Sequence, residues 1–331
     1  MGKRKLVRLH VCAFTCIVIA GMVVSGCTRA RSARPTLTHV KFLLDSKAAP
    51  TYAGFYIAKE KGIFADHSLD VEIVEGVDAR TSTQTIGSGK EYAIGTCNGE
   101  ATVLGRAQGN AIKSVAVFYP NISDALYSRG DAPIRRPTDM IGKKIGLLPD
   151  SLGTDEYIGV LAANHINRSR IHEVSVGPDS SPLLSKQVDG LIARVEGVPA
   201  ELKAGGSDIV TMQLGDTGVT AYGLNVIVNE SMLKSDAKTV QDFIDASVEG
   251  YTFVRDHPDD ATAILVKALP QRNPEYLRQG TLLVQGLMGR MPVGSQTHFG
   301  WANTIVTLKN LGLLNKDVTV EDVVAKDYLR D

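Results

Sequence analysis

From residue 37 onward the chain switches between two spacings of apolar residues. Short runs with apolar residues at alternate positions predict strands, and longer stretches with apolar residues three and four apart predict helices. HVKFLLD (His39–Asp45), LDVEIVEG, YAIGT and IKSVAVFYP read as strands. TYAGFYIAKEKGIF (Thr51–Phe64), ARTSTQTIGSGK and NGEATVLGRAQG read as the intervening helices, with stops at Gly62, at Gly87-Ser88-Gly89 and at Gly109. A second unit with the same alternation starts near Pro137. Its expected strands are GKKIGLLPD, HEVSVG, GLIAR and SDIVTMQL. Its expected helices are SLGTDEYIGVLAANH, with Ser151 or Thr154 as N-cap, then SSPLLSKQVDG and EGVPAELKAGG. YGLNVIVNE reads as a strand returning to the first unit, and the remainder reads as helices.

Strands alternating with helices predict wound α/β sheets. Roughly 300 residues exceed one comfortable core, so two lobes are expected. The predicted division is residues 38–122 plus 224–331 for lobe 1 and 123–223 for lobe 2. Two chain crossings, near residues 120–136 and 214–224, would form a hinge. Ligands of such sheets sit outside the C-terminal ends of the strands, which here means the cleft between the lobes.

The first residues follow a different pattern. Lys3, Arg4, Lys5 and Arg8 precede Val11–Val24, a run without charge. A cationic start followed by a short apolar run predicts a secretory signal peptide over residues 1–26. The run is short for a membrane-spanning helix, which takes about 20 residues. Val24-Ser25-Gly26-Cys27 ends it. These four residues resemble the bacterial lipobox, which implies cleavage before Cys27 and acylation of its thiol. Each buried CH₂ adds about 0.8 kcal/mol, so two or three acyl chains hold a protein on a membrane. Residues 27–37 would be a lipidated linker, and Arg29, Arg31 and Arg34 could meet anionic headgroups there.

Composition narrows the function. Cys12 and Cys16 leave with the signal peptide, so Cys97 has no partner other than Cys27, and no CxxC pair exists for zinc. The formal charge is zero for the whole chain, and turns mildly negative without the leading cations. No basic cluster suits nucleic acid. GSGKE at 87–91 lacks the Ser/Thr of a phosphate-binding loop, GxSxG is absent, and the histidines make no HxxxH pair. Catalysis and a resident cofactor are therefore not expected.

FLLDSKAAPTYAGFYIAKEKGIFADHSLDVEIVEG, TIGSGKEYAIGTCNGEATVLGRAQG, RPTDMIGKKIGL, YGLNVIVNE and WANTIVTLKNLGLL together resemble the periplasmic solute-binding proteins of ABC importers. The branch is that of thiamine precursors and alkanesulfonates, which also includes the pyrimidine-precursor synthases. The resemblance runs from about Val40 to Leu329. It implies a type II periplasmic-binding-protein fold with a small-molecule ligand in the inter-lobe cleft. It also implies delivery to a permease driven by a cytoplasmic ATPase, by a monomer anchored at the periplasmic membrane face or outer cell surface. The implied ligand is a heterocycle such as a thiamine pyrimidine precursor or a flavin; an organosulfonate or nitrate is the alternative. A synthase-like enzyme is a different class, but Leu214–Gly223 lacks the cysteines and histidine of those relatives. A surface lipoprotein without ligand is a third.

Asp45 ends the first strand at the cleft edge, and Ser46 stands where the family carries a stacking aromatic. Tyr52 replaces the family's histidine. Thr96, Cys97 and Asn98 open a helix, whose free N–H groups suit polar ligand atoms; for Cys97 the plainer reading is a buried small side chain. Tyr119 sits at the first crossing and Tyr222 at the second. Ser151 and Thr154 open a helix of lobe 2. Glu196 matches a carboxylate that pyrimidine-binding relatives aim at ligand amino groups, and would repel a sulfonate.

Overall fold

The computed structural model of the protein describes residues 36–149, 151–195 and 197–330. The expected signal peptide, Cys27 and Glu196 lie outside the described residues. Two five-stranded sheets organise the rest. Strands β1 (Thr38–Leu43), β2 (Leu69–Val74), β3 (Ile94–Asn98), β4 (Ile112–Val117) and β10 (Leu224–Asn229) form the first, in the order β2-β1-β3-β10-β4. Strands β5 (Asp124–Arg129), β6 (Lys144–Leu147), β7 (His172–Ser175), β8 (Gly190–Arg194) and β9 (Ile209–Gln213) form the second, in the order β7-β6-β8-β5-β9.

Helices α1 (Ala53–Glu60), α2 (Ile63–Asp66), α3 (Ala79–Ser88) and α4 (Gly99–Ala107) link strands of the first sheet. Helices α5 (Leu152–Ala163), α6 (Ser181–Leu184) and α7 (Val198–Ala204) link strands of the second. After β10 come α8 (Glu230–Ser235), α9 (Ala237–Asp256), α10 (Pro258–Ala268), α11 (Pro274–Leu287), α12 (His298–Asn310) and α13 (Val320–Val323). Among the described residues no helix is long and apolar enough to cross a membrane.

The two sheets share one plan. In each, three neighbouring strands run parallel: β2, β1 and β3 in the first, β7, β6 and β8 in the second. One antiparallel strand follows them, β10 in the first sheet and β5 in the second. Each of these is the strand by which the chain enters that sheet from the other. The stretch Asp124–Arg129, expected to lie within a hinge spanning 120–136, is therefore a sheet strand, paired with both β8 and β9. Its Ala125, Leu126 and Tyr127 are buried, so packing, not alternation, decides its conformation. The two crossings run side by side. The N–H groups of Phe118 and Tyr119 donate to the Leu224 carbonyl at 2.8 and 3.3 Å, and the Gly223 N–H donates to the Tyr119 carbonyl at 2.9 Å.

The expected helix Thr51–Phe64 divides into a 3-10 turn (Pro50–Tyr52), α1 and α2. Gly62 separates the helices at φ +77°, in the left-handed region that costs a side chain energy. Under the first sheet, α1 meets α9 closely: a Cβ on Gly250 would lie 2.1 Å from the Gly54 carbonyl oxygen. Phe42, Phe55, Phe118, Phe243 and Tyr251 interlock there, with Phe118 and Tyr251 stacked at 4.2 Å between centroids. The second sheet has a smaller, mostly aliphatic core around Leu126, Ile145, Val160 and Ile192.

Candidate functional site

Loops following parallel strands of both sheets converge on one cavity of about 680 Å³. Asp45 and Ser46 follow β1, Asn98 ends β3, Leu148 and Pro149 follow β6, and Arg194 ends β8. Helices also begin here. Asp78, Asn98 and Ser151 cap α3, α4 and α5, accepting the N–H groups of Thr81 (2.8 Å), Ala101 (2.8 Å) and Thr154 (3.3 Å). Ser151 is thus the N-cap that the sequence left open between it and Thr154. The Thr154 hydroxyl turns back to the Leu148 carbonyl at 2.7 Å and fastens the loop instead of lining the cavity.

Asp45 is held firmly. It is 2 % exposed, and its Oδ1 accepts from Thr96 Oγ1 at 2.6 Å and from Tyr52 Oη at 2.9 Å. Its own N–H donates to Thr96 Oγ1 at 2.9 Å. Thr96 and Tyr52 are themselves fully buried and absent from the cavity lining. Their place is behind Asp45, which they orient.

Tyr119 and Tyr222 also lie outside the lining, which corrects the expectation that they face the cleft. The Tyr119 hydroxyl donates to the Thr51 carbonyl at 2.6 Å, and Tyr251 shares that acceptor at 2.7 Å. The Tyr222 ring packs edge-on against Trp301, and its oxygen accepts the Thr297 N–H at 3.0 Å. A tyrosine following a strand was legible in the sequence; the side of the sheet it takes was not. Cys97 is free and fully buried, with Sγ 2.9 Å from Thr102 Oγ1. Burial pushes its thiol far above the usual range, which makes it unreactive.

Several lining residues carried no signal that drew attention to them. Asp78, Arg80, Asp124 and Asp179 all line the cavity. Asp78 was reachable by the logic used for Ser151, since it caps a helix that follows a strand. Burial pushes its carboxyl up, but the hydrogen bonds from Thr81, helped by Arg80, outweigh this and hold it below the usual range. Asp124 was hidden because β5 was. Its carboxylate lies over the start of α5, where a Cβ on Gly153 would be 2.5 Å from Oδ1. Among the described lining residues none is aromatic; Val77, Leu104, Leu148, Leu152 and Ile192 supply the apolar surface. Val77, 80 % exposed, and the exposed Leu148 line the cavity from different sheets.

The fold matches solved binding proteins. The periplasmic aliphatic sulphonate binding protein SsuA of Escherichia coli superposes with a TM-score of 0.70 at 12 % identity, covering 88 % of this chain and 92 % of that one. In sequence, the riboflavin-binding protein RibY of Chloroflexus aurantiacus is 23 % identical over 91 % of this chain and 88 % of its own. A formylaminopyrimidine-binding protein of Halalkalibacterium halodurans is 22 % identical over 92 % of this chain and 96 % of its own. The family model described as NMT1/THI5 like matches residues 49–261, most of both sheets, and the chain belongs to that family.

Proposed function

We propose that the protein is the lipid-anchored substrate-binding component of an ABC importer. Its ligand is a flat heterocycle, neutral or positively charged, that carries N–H or O–H donors and is of flavin or aminopyrimidine class. The observation that carries the ligand class is the charge of the cavity wall. Asp45, Asp78, Asp124 and Asp179 face it, against Arg80 and Arg194. Carboxylates accept amino and imide N–H groups well, whereas a sulfonate beside them meets repulsion without compensating solvation. The volume suits a ligand larger than one pyrimidine. With aliphatic walls and no aromatic ring among the described lining residues, a flat ligand is gripped between methyl groups of the two sheets. The names of the riboflavin- and formylaminopyrimidine-binding relatives point the same way.

In this reading residues 38–122 plus 224–331 form one lobe and 123–223 the other, closing about the paired crossings. Asp45, Asn98 and Ser151 touch the ligand, with Glu196 as the sequence's added acceptor, and Thr96 and Tyr52 steady Asp45. Cys27 supplies the anchor, and the closed form docks on the permease. Closure by ligand requires that the ligand favour the closed state.

An anionic ligand has one feature in its favour: the starts of α3, α4 and α5 at the cavity, beside Arg80 and Arg194. Thermal unfolding of the protein against riboflavin, aminopyrimidines, thiamine, alkanesulfonates, taurine and nitrate separates the two, because a ligand of the folded state raises the midpoint. A rise with a flavin or aminopyrimidine alone is expected. A rise with sulfonates alone overturns the ligand class and leaves the transport role standing.

A further inference from the structure

Behind the cavity, a carboxyl group from a helix of each sheet meets the other in a side-chain hydrogen bond. Glu100 lies in the first turn of α4, which follows β3 of the first sheet. Glu156 lies in α5, which follows β6 of the second. Each is 1 % exposed. Asn98 Nδ2 donates to Glu100 Oε2 at 3.5 Å, and Glu156 Oε2 has no hydrogen-bond partner. We propose that Glu100 and Glu156 form a proton-operated latch between the two halves of the fold: one shared proton joins them, and its loss drives the halves apart.

The position suits the role. The residue before Glu100 is tied to the second crossing, since the Gly99 N–H donates to the carbonyls of Tyr222 (2.9 Å) and Gly223 (3.1 Å). The Glu100 side of the latch is therefore fixed to the crossing about which the halves would close. Two buried carboxylates in contact cannot both ionise without repulsion, so one keeps its proton. Burial pushes both groups above the usual carboxylate range, and the hydrogen bond between their side chains holds the shared proton. Asp124 from the start of β5 adds negative charge and raises both, Asp155 from α5 raises Glu100, and Arg194 at the end of β8 opposes them. The released proton goes to solvent.

The sign follows from the raised values. Above the unfolded carboxylate range the folded state holds more protons than the unfolded one, so stability falls as pH rises toward the raised values. It is fully present below that window. Isosteric amides remove the like charge: in Glu156→Gln or Glu100→Gln the amide N–H can donate to the remaining carboxylate.

The test reads the thermal midpoint of the full chain and hydrogen exchange, corrected for its intrinsic pH dependence, in segments 98–104 and 151–157. Both are followed from about pH 5 to about pH 9, on either side of the window for raised carboxylates. Wild type is expected to lose midpoint and seam protection as pH rises. Glu156→Gln and Glu100→Gln should each keep seam protection at the alkaline end. Constant protection in wild type overturns the latch even if no variant folds, and so does an unchanged alkaline loss in both variants. No ligand is added, so failure here leaves the proposed transport role untouched, and failure of that role leaves the latch.

Discussion

Two buried acidic sites flank the cavity, and they differ in what faces the carboxylate. At the floor of the first half, Asp45 has hydroxyl donors from Thr96 and Tyr52. At the seam, the principal partner of Glu100 is another carboxyl, and one oxygen of Glu156 has no donor. Burial is nearly the same, at 2 % and 1 % exposed. The difference teaches that burial alone does not assign a role to an acid. Neutral donors make Asp45 a fixed acceptor aimed at the cavity, while a like-charged neighbour makes Glu100 and Glu156 a store for a proton. The sharpest way to break the contrast is to strip Asp45 of its donors. Thr96→Val removes the 2.6 Å donor and also the acceptor of the Asp45 N–H. A buried charge left unsatisfied costs more than an ordinary lost hydrogen bond, so urea unfolding should show a loss of about 3 kcal/mol. Thr96→Ser, which keeps the hydroxyl, should recover most of it. A loss below about 0.5 kcal/mol in Thr96→Val would mean that Asp45 is solvated from the cavity, within the range of ordinary surface changes.

The seam should respond in the opposite direction. The double variant Glu100→Gln/Glu156→Gln removes charge from a dry site instead of orphaning it. Its midpoint should rise by about 4 °C near pH 8 and change little near pH 5, where the acids already hold protons. A fall at both pH values would mean that the carboxyls are held by interactions that an amide cannot replace.

A third variant connects the two sites through Asp124, which lines the cavity and also faces the seam. A Cβ at Gly153 would press on its Oδ1. Because the end of a side chain can shift more cheaply than backbone, Gly153→Ala should cost only about 1 kcal/mol of stability. Affinity for the ligand found in the panel should drop about tenfold, or about 1.4 kcal/mol, as Asp124 leaves its place. Calorimetric titration checks this, and unchanged affinity would remove Asp124 from the acidic wall that sets the ligand class.

Much of this organisation was legible in the sequence for a physical reason. Strand alternation and helix caps are local, so β1, β2, β3, β6, β8 and the starts of α4 and α5 could be read from neighbouring residues. Ser151 was read in that way as a helix cap and Asn98 as a residue opening a helix; both line the cavity. Strand β5 was not, because DALYSR is specified by burial between β8 and β9. Glu100 and Glu156 belong to helices of different sheets, and nothing within either helix announces the other. The tyrosines misled because position after a strand is local, whereas the face they bury depends on α9 and α12.

Tyr222 gives the smallest effect and the cleanest check on that last point. Its hydroxyl oxygen accepts the Thr297 N–H at 3.0 Å and lies 3.2 Å from Thr297 Oγ1, at the N-cap of α12. Its ring stands edge-on to Trp301, 5.1 Å between centroids. Tyr222→Phe keeps the ring packing and removes only the oxygen. The expected cost is about 1 kcal/mol, the usual worth of one such hydrogen bond, with ligand affinity unchanged. The same substitution at a cavity contact would lower affinity and spare stability. Measuring both quantities on one variant therefore decides whether Tyr222 props the second crossing or touches the ligand. An affinity loss beyond about threefold, or about 0.7 kcal/mol, with stability intact would return it to the cleft and show that the ligand-bound protein opens a path to the hydroxyl.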